Sequence, residues 1–248
     1  MGRMDRPDSR LTRRAALGGI GTVLASGGVV YGASRLDSGS SESTGTQFHR
    51  STESTDLGID LQGHPIMGSP DASLDLYYWS DYQCPFCRRF ERETLPELVE
   101  NHVRTGTVRI VFIEYPYLSE ASMTAAVMDR CVWRQVRDEE PSRYWPWHSA
   151  VFEAQGEKGS GWASRSNLLG ITRRVDGVDA AAVDTCMRQR GRDIESSIRA
   201  DVEQAAAFDI RGSPAFILFD TASEAAGKLV GAQPYDRFET AISRIQNA

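Results

Sequence analysis

Two cysteines separated by two residues, Cys84 and Cys87, are the residues of this chain best suited to chemistry. An apolar run, 74–79, lies just upstream, and a stretch with a helical pattern, 88–103, follows directly. A Cys-X-X-Cys pair at a strand-to-helix junction is typical of a redox-active dithiol. Because the N–H groups at the start of a helix are partly positive, they would favour a thiolate on Cys84. The sequence therefore predicts thiol–disulfide chemistry at this pair.

A zinc site is the alternative interpretation of the same pair, since zinc also binds cysteines at this spacing. A zinc ribbon needs a second pair of ligands, and the other two cysteines, Cys131 and Cys186, stand alone in the sequence. The histidines show no ligand spacing, and His148 beside Trp147 is expected to be a packed core residue. We therefore predict no metal and no other cofactor.

Hydrophobic patterning predicts the elements that must position Cys84. In the run 74–79 apolar and other residues alternate, which suits a strand lying between two covering layers. The segment 108–113 is a nearly continuous apolar strand, typical of a sheet interior. Pro96 should kink the helix between them. Strand, helix and strand at this spacing predict a right-handed crossover unit.

The rest of the globular part alternates between helical and extended patterns. A helical pattern runs from about residue 119 to 208, and 212–219 is a turn leading into a strongly apolar strand. A short partner strand, 228–230, and a closing amphipathic helix, 235–245, follow. This order predicts an α/β thioredoxin fold, a mixed sheet flanked by helices, with a helical insertion between the crossover unit and the strand after the turn.

Two motifs together resemble the DsbA-type thiol–disulfide oxidoreductases of the thioredoxin superfamily. They are Asp81-Tyr82-Gln83-Cys84-Pro85-Phe86-Cys87 and Gly212-Ser213-Pro214, with a supporting stretch Tyr144-Trp145…His148…Phe152…Gln155. The resemblance covers most of residues 58–247. It implies that Cys84 is the exposed attacking sulfur and Cys87 the more buried resolving one. It also implies substrate-binding positions, at Pro85, Phe86, Ser213 and Pro214.

The resemblance further implies a cis peptide bond between Ser213 and Pro214, beside the active site. Such a turn leaves backbone groups open to pair with an extended substrate segment. An ordinary trans proline at the start of an edge strand is the alternative.

Some positions near the cysteines depart from the family's pattern. Strongly oxidising relatives have a histidine where this chain has Phe86, which predicts a potential between those of DsbA and thioredoxin, about -120 to -270 mV. Tyr78 occupies the position of a buried carboxylate, which puts a proton relay there in doubt. Asp81 is expected to turn the chain before the helix. Arg88 and Arg89 either help to hold the thiolate or form a solvated face.

Cys131 and Cys186 both lie in the predicted helical insertion. In an exported protein, two remaining cysteines in one subdomain suggest a structural disulfide. Two buried free thiols are the alternative, because connectivity cannot be deduced from sequence alone.

The N-terminal segment resembles a twin-arginine export signal. Thr12-Arg13-Arg14-Ala15-Ala16-Leu17 leads into a weakly apolar, glycine-rich stretch that ends near Ala33. We predict that residues 1–33 are a cleaved signal or a membrane anchor, and that 34–56 form a flexible Ser/Thr/Gly-rich linker. The catalytic domain, 57–248, would then lie outside the cytoplasm, in an extracellular or periplasmic space or anchored to the outer face of the cytoplasmic membrane.

Charge excludes one class of partner. The net charge is -6, and Lys158 and Lys228 are the only lysines, which argues against nucleic acid. We expect a monomeric oxidase that introduces disulfides into exported proteins and is reoxidised by a quinone-linked membrane protein. The alternatives are a reductase or disulfide isomerase with the same site, and a non-catalytic assembly factor that binds peptides.

Overall fold

The computed structural model describes residues 47–55 and 57–248, and within them six strands form one mixed sheet. The strands are β1 (Phe48–His49), β2 (Ile66–Met67), β3 (Leu74–Ser80), β4 (Val108–Glu114), β5 (Ala215–Asp220) and β6 (Ala226–Val230). Their order across the sheet is β1-β2-β4-β3-β5-β6. Strand β3 pairs parallel with β4 and antiparallel with β5.

Helices cover both faces of this sheet. They are α1 (Pro85–Glu93), α2 (Leu95–Leu98), a π-helical turn (Val99–Val103), α3 (Glu120–Val136), a 3-10 turn (Pro141–Arg143), α4 (Tyr144–Glu153), α5 (Arg165–Thr172), α6 (Ala180–Ala207) and α7 (Tyr235–Gln246). Helices α3 to α6 form the predicted insertion between β4 and β5. The thioredoxin fold with a helical insertion is confirmed.

Strand β3 is buried along its whole length, because side chains on both of its faces pack into a core. Leu76 and Tyr78 point to the core beneath α1, α7 and the insertion. Tyr77 and Trp79 point to a second core, which also holds Ala205 near the end of α6. The alternation within this run therefore marks a central strand covered on both faces, as predicted.

The helix predicted over residues 88–103 begins earlier than predicted and is interrupted in the middle. Helix α1 already begins at Pro85 and ends at Glu93, and Thr94 separates it from α2. Pro96 has no N–H to donate and its ring crowds the preceding turn, so the helix breaks rather than kinks. The Thr94 hydroxyl donates to the carbonyl of Gln233 at 2.9 Å and so fixes the break against the C-terminal part of the fold.

The predicted linker, 34–56, is wrong at its end, because the fold begins before residue 57. Phe48 is only 2% exposed, and β1 pairs antiparallel with β2. The Phe48 ring centroid lies 5.4 Å from that of Tyr144, so this single aromatic residue ties the segment to the insertion. The predicted signal or anchor and the rest of the linker lie outside the described residues. Within those residues, no helix has the length and apolar character needed to span a membrane.

A disulfide between Cys131 and Cys186 joins α3 to α6 within the insertion. Both helices also pack against each other through apolar side chains, including Val127 and Val183. The bond therefore adds a covalent constraint to two long helices that are otherwise held by packing and by the Arg130–Asp201 ion pair.

Replacing both Cys131 and Cys186 with serine is expected to lower the free energy of unfolding by about 2–4 kcal/mol. The bond spans 55 residues, so its loss returns conformational entropy to the unfolded chain. Urea denaturation of the oxidised protein measures the change. Cys131→Ser alone should lose nearly as much, and a double variant as stable as the wild type would contradict the expectation.

Candidate active site

Cys84 is the N-cap residue of α1, and Pro85 occupies the first helical position. The tight turn before it is held by Asp81, whose carbonyl accepts from the Cys84 N–H at 2.9 Å. The Asp81 carboxylate accepts from the backbone N–H of Gln83 at 2.8 Å and from that of Leu118 at 3.2 Å. Asp81 thus turns the chain, as the sequence indicates, and also fastens this turn to the loop after β4.

The surroundings of Cys84 favour its thiolate and lower its pKa to about 6. The largest cause is a hydrogen bond from the Cys87 thiol, which outweighs the effect of burial. The Ser213 hydroxyl and the backbone N–H groups of Phe86 and Cys87 lower the pKa further. The donors with the largest effects are all neutral groups, so the helix start and the second thiol replace the cationic neighbour that this chain lacks.

Cys87 has the opposite character. Complete burial is the largest cause that raises the pKa of its thiol, and a nearby Cys84 thiolate raises it further. The two sulfurs therefore divide into one that ionises readily and one that stays protonated. The prediction of an exposed Cys84 is wrong, since this residue is only 2% exposed. The loop that contains Ser213 lies against its sulfur.

The peptide bond between Ser213 and Pro214 is cis, and this turn lies against the first cysteine. Cys84 Sγ donates to the Ser213 carbonyl oxygen at 3.2 Å, an interaction that only the neutral thiol can make. The Ser213 hydroxyl is buried beside the sulfur and has no hydrogen-bond partner among the described residues, so it is available to donate to a Cys84 thiolate and favours that form. The Pro214 carbonyl accepts from the Gly231 N–H at 2.8 Å. Gly231 directly follows strand β6, so this bond connects the turn to the end of that strand.

The helical insertion braces the active-site turn through Gln155. Its side-chain amide donates to the carbonyl of Tyr82 at 2.6 Å and to that of Cys84 at 3.2 Å. Arg88, in the first turn of α1, donates in turn to the Gln155 carbonyl at 3.1 Å. The position of Cys84 therefore depends on a residue about 70 positions later in the chain, although only the resemblance had drawn attention to Gln155.

A buried polar network lies behind the active-site helix and centres on His148. Its Nε2 lies 3.0 Å from a carboxylate oxygen of Glu91 in α1, and its Nδ1 lies 2.8 Å from the hydroxyl of Tyr82. The hydroxyls of Tyr82 and Tyr144 donate to one oxygen of Asp129 at 2.5 and 2.7 Å. His148 is thus buried as predicted, but it is a polar link between α1 and the insertion rather than a purely packed side chain.

Tyr78 shows what replaces the family's buried carboxylate. Its ring stacks on Phe216 with centroids 5.0 Å apart, and its hydroxyl is buried without a hydrogen-bond partner among the described residues. Burial raises the pKa of Tyr78 well above its usual value, and the charges of Glu91 and Cys87 raise it further. Glu91, which the sequence analysis did not single out, is therefore the acidic residue closest to this position.

Arg88 and Arg89 do not stabilise the thiolate directly. Arg88 donates to backbone carbonyls in and after α4, and Arg89 donates to the Ala232 carbonyl at 3.0 Å. Neither is among the groups with the largest effects on the pKa of Cys84. The Arg89 guanidinium instead lies 5.4 Å from the ring centroid of Phe86 and holds that ring at the surface.

The exposed large apolar side chains of the described residues surround this turn. They are Phe86 (54% exposed), Tyr117 (45%) and Val230 (57%). Phe86 follows the first cysteine by two residues, and Tyr117 lies beside the loop of the cis peptide bond, with its hydroxyl 3.7 Å from where a Cβ on Gly212 would sit. Val230 pairs with Ala215, directly after that bond. Sequence analysis found Phe86 but missed Tyr117 and Val230, whose relevance depends on contacts between distant segments.

The pKa of Cys84 has a measurable consequence for reactivity. Alkylation of the reduced protein at Cys84 is expected to reach half of its maximal rate near pH 6, and to be about tenfold faster at pH 7 than at pH 5. Stopped-flow measurements with iodoacetamide between pH 4 and 8 test this. A midpoint above pH 8 would contradict it.

The same shift predicts a pH-dependent stability of the reduced form. Because the folded-state pKa of Cys84 lies below its unfolded value, its stabilising contribution is fully present above about pH 9 and is lost as pH falls through about 6. Between pH 8 and pH 5 the reduced protein should therefore lose stability relative to the oxidised protein, in which no thiol titrates. Reduced Cys84→Ala is the control, and it should lack this slope.

The structure separates the two pairs of cysteines. Cys131 and Cys186 bond to each other, so they cannot complete a zinc site with Cys84 and Cys87. The zinc-ribbon alternative requires a second pair of ligands, and these two cysteines do not supply it.

Comparisons with known proteins agree with this fold. The model of a thioredoxin family, Thioredoxin_4, matches residues 60–243. The disulfide bond formation protein D of Bacillus subtilis is 28% identical over 110 residues, which are 44% of this chain and 47% of that protein. Its "Probable" namesake from Bacillus anthracis is 23% identical over 149 residues, 60% of this chain and 66% of the relative. The matches thus span less than two thirds of these relatives.

Among solved structures, oxidised BdbD from Bacillus subtilis superposes with a TM-score of 0.63 at 19% identity. The superposition covers 75% of this chain and 94% of that one. At this level of identity the likeness establishes the shared fold. What the site does must be argued from its own residues.

Proposed function

This chain belongs to the thioredoxin family, and from that premise we propose that it is an extracytoplasmic protein-disulfide oxidoreductase that introduces disulfides into exported proteins. One observation carries the proposal: the sulfur with a pKa of about 6 stands at the start of α1, while its buried partner keeps its proton. The names of the Bacillus relatives, which are disulfide bond formation proteins, support the same activity.

The asymmetry of the two thiols sets the order of bond changes. A substrate thiolate attacks Cys84 in the Cys84–Cys87 disulfide, which forms a mixed disulfide and releases Cys87 as a thiolate. Cys87 takes up a proton, because its pKa is raised. A second substrate thiolate then attacks the substrate sulfur and releases Cys84. The substrate loses two electrons, and the enzyme is left as a dithiol.

The low pKa of Cys84 favours the oxidising direction. A thiolate with a pKa near 6 is a good leaving group at neutral pH, so the second exchange step is fast and the reduced enzyme is stabilised. This pKa lies between the values near 7 and 3.5 of thioredoxin and DsbA. We therefore retain the intermediate potential predicted from Phe86, about -120 to -270 mV.

The surroundings of Cys84 suit an unfolded protein as the substrate. Phe86, Tyr117 and Val230 offer exposed apolar area on three sides of the covered sulfur. The Pro214 carbonyl is already engaged by Gly231, whereas the Ser213 carbonyl accepts from the Cys84 thiol and becomes available to an extended substrate once Cys84 is oxidised. Apolar side chains that folded proteins bury would thus be recognised together with their backbone.

A reductase or isomerase is the second candidate, because a pKa near 6 is also close to that of thioredoxin. Equilibration with glutathione buffers, followed by mass spectrometry of alkylated protein, would measure the potential of the Cys84–Cys87 pair. A potential above about -200 mV with rapid oxidation of reduced ribonuclease supports the oxidase. A potential near -270 mV with rapid insulin reduction and no oxidase activity would reject it in favour of the reductase.

Export and reoxidation complete the proposal. The twin arginines, Arg13 and Arg14, precede an apolar stretch, and we propose that they direct the folded chain out of the cytoplasm. A quinone-linked membrane protein would then accept the two electrons from the reduced pair. Cell fractionation of an Arg13→Lys/Arg14→Lys variant tests the first step, and cytoplasmic retention is the expected result.

A further inference from the structure

A cavity of about 310 Å³ opens between α3 and α6, away from the cysteine pair at the start of α1. Arginines dominate its lining. Arg130, Arg134 and Arg137 follow one another at intervals of four and three residues along one face of α3, and Arg190 faces them from α6. We call these four residues and the space between them the arginine pocket.

Two features of the fold hold the walls of the arginine pocket. The Cys131–Cys186 disulfide joins α3 to α6 one residue after Arg130 and four residues before Arg190. Gly63 lies at the wall beside Arg130, and a Cβ on it would come within 2.9 Å of the Arg130 Nη1 atom. Gly63 has a φ of +91°, so a larger residue there would be strained as well as obstructive. The space is therefore bounded by fixed elements.

Three of the four guanidinium groups in this pocket, those of Arg134, Arg137 and Arg190, have only distant carboxylate partners or none among the described residues. Among the described residues, no side-chain hydrogen bond reaches Arg134, Arg137 or Arg190, and the Nε of Arg137 is buried without a partner. By contrast, Arg165 lies 2.6 Å from the carboxylate of Asp184. Arg190 has only the exposed Asp193, at 3.4 Å, and Arg137 has only the exposed Asp138, at 3.6 Å.

Arg130 is buried, and its hydrogen bonds engage two of its three guanidinium nitrogens. Its Nε pairs with Glu114 at 2.6 Å and its Nη2 with Asp201 at 2.9 Å. None of the hydrogen bonds to it among the described residues uses Nη1, the atom beside Gly63 at the pocket wall. Burial lowers the pKa of Arg134, and the like charges of Arg137 and Arg190 lower it further. The pocket thus presents guanidinium N–H groups that make no hydrogen bond among the described residues, including Arg130 Nη1 and Arg137 Nε.

We propose that the arginine pocket binds a phosphate-type oxyanion. Planar guanidinium groups donate paired hydrogen bonds that match phosphate oxygens, and one anion between them would relieve their mutual repulsion. The volume lies at the lower end of the range for ligand sites, which suits a small anion or a headgroup. The whole chain is acidic, with a net charge of -6, so a generally basic surface does not explain the cluster. The proposal does not depend on the redox chemistry.

Isothermal titration of the oxidised full-length chain with inorganic phosphate, at constant ionic strength in chloride, tests the proposal. We expect saturable binding, and we expect Arg134→Gln and Arg190→Gln each to weaken it at least tenfold. Arg192→Gln is the matched control, because Arg192 is exposed on the same helix but does not line the pocket. It should bind phosphate like the wild type.

A second arm distinguishes free phosphate from the phosphate of a lipid headgroup. Vesicles of phosphatidylglycerol and of phosphatidylcholine are sedimented with each variant. Binding to the first alone, lost in Arg134→Gln and kept in Arg192→Gln, supports the lipid source, and saturable binding of phosphate in titration supports the free ion. If neither probe binds, or if Arg192→Gln weakens binding as much as Arg134→Gln, the proposal is overturned.

Discussion

Cys84→Ser is expected to lower the rate at which this protein oxidises a reduced, unfolded substrate by about 10⁴-fold or more. A serine hydroxyl forms no disulfide and is not ionised at neutral pH, so neither exchange step can occur. The fold should survive, because Cys84 makes one side-chain hydrogen bond, to the Ser213 carbonyl, and a hydroxyl can donate to the same oxygen. Refolding of reduced ribonuclease measures the activity, and thermal unfolding verifies the fold.

Cys87→Ala should fail in a different way. A substrate disulfide can still be attacked by Cys84, but no internal thiol can resolve the adduct, so a mixed disulfide should accumulate and be visible by mass spectrometry. The pKa of Cys84 should also rise from about 6 towards 9, because the Cys87 thiol is the largest cause of its depression. Cys87→Ser is the matched control, since its hydroxyl can still donate.

Two results would contradict this account of the pair. One is a Cys87→Ala protein whose Cys84 still titrates near pH 6, which would mean that the helix start alone sets the pKa. The other is a Cys84→Ser protein that retains biological activity in cells. That result would favour the non-catalytic assembly factor over the enzyme.

The sequence predicted the parts of the site that depend on neighbouring residues. Cys84 and Cys87 lie on one turn of helix, directly after a strand, so their spacing and flanking pattern are enough to place them. The apolar run that forms β5 follows Pro214 directly, and its composition was enough to predict a strand there. The fold class followed because the order of these short patterns admits few topologies.

The sequence could not predict the parts that depend on contacts between distant segments. Tyr117 and Val230 are exposed and adjacent to the site only because the sheet brings β4, β5 and β6 together. The burial of Cys84 depends on the loop before Pro214, nearly 130 residues later. Phe48 was assigned to a linker because its neighbours are small and polar, although one buried aromatic ring is enough to order a short strand.

For the His148 network, the sequence indicated some of the residues but not the polar contacts that they make. Tyr144 and His148 are four residues apart and so share a helix face, which the sequence indicates. That Glu91 and Asp129 complete the network could not be inferred, because α1 and α3 approach α4 only in the folded chain. Buried polar residues near a reactive pair are therefore best identified from coordinates.

Arg130→Met is expected to lower the free energy of unfolding by about 3–5 kcal/mol at pH 7. Arg130 is buried, and its guanidinium pairs with Glu114 at 2.6 Å and Asp201 at 2.9 Å. Its removal leaves Glu114 facing Asp129, and both carboxyl groups are buried. Methionine fills much of the volume, so the loss reports the unpaired charge more than a cavity. Urea denaturation measures it.

The loss should become smaller as the pH falls. Burial already raises the pKa of Asp129, and the charge of Glu114 raises it further even with Arg130 present. Without Arg130, the folded-state pKa of Asp129 rises further above its unfolded value and the pKa of Asp201 is lowered less. A carboxylate that has lost its partner destabilises the fold only where it is ionised. The difference between Arg130→Met and the wild type should therefore be larger at pH 8 than at pH 5.

Two further variants separate this mechanism from a general effect of losing an arginine. Arg199→Met breaks an exposed pair with Glu195 on α6 and should cost less than about 1 kcal/mol. Arg130→Met/Glu114→Gln should recover part of the loss, since it removes the charge that Arg130 compensates. If Arg130→Met costs no more than Arg199→Met, or if its effect does not vary with pH, then Arg130 is not what holds the carboxylate charge inside the fold.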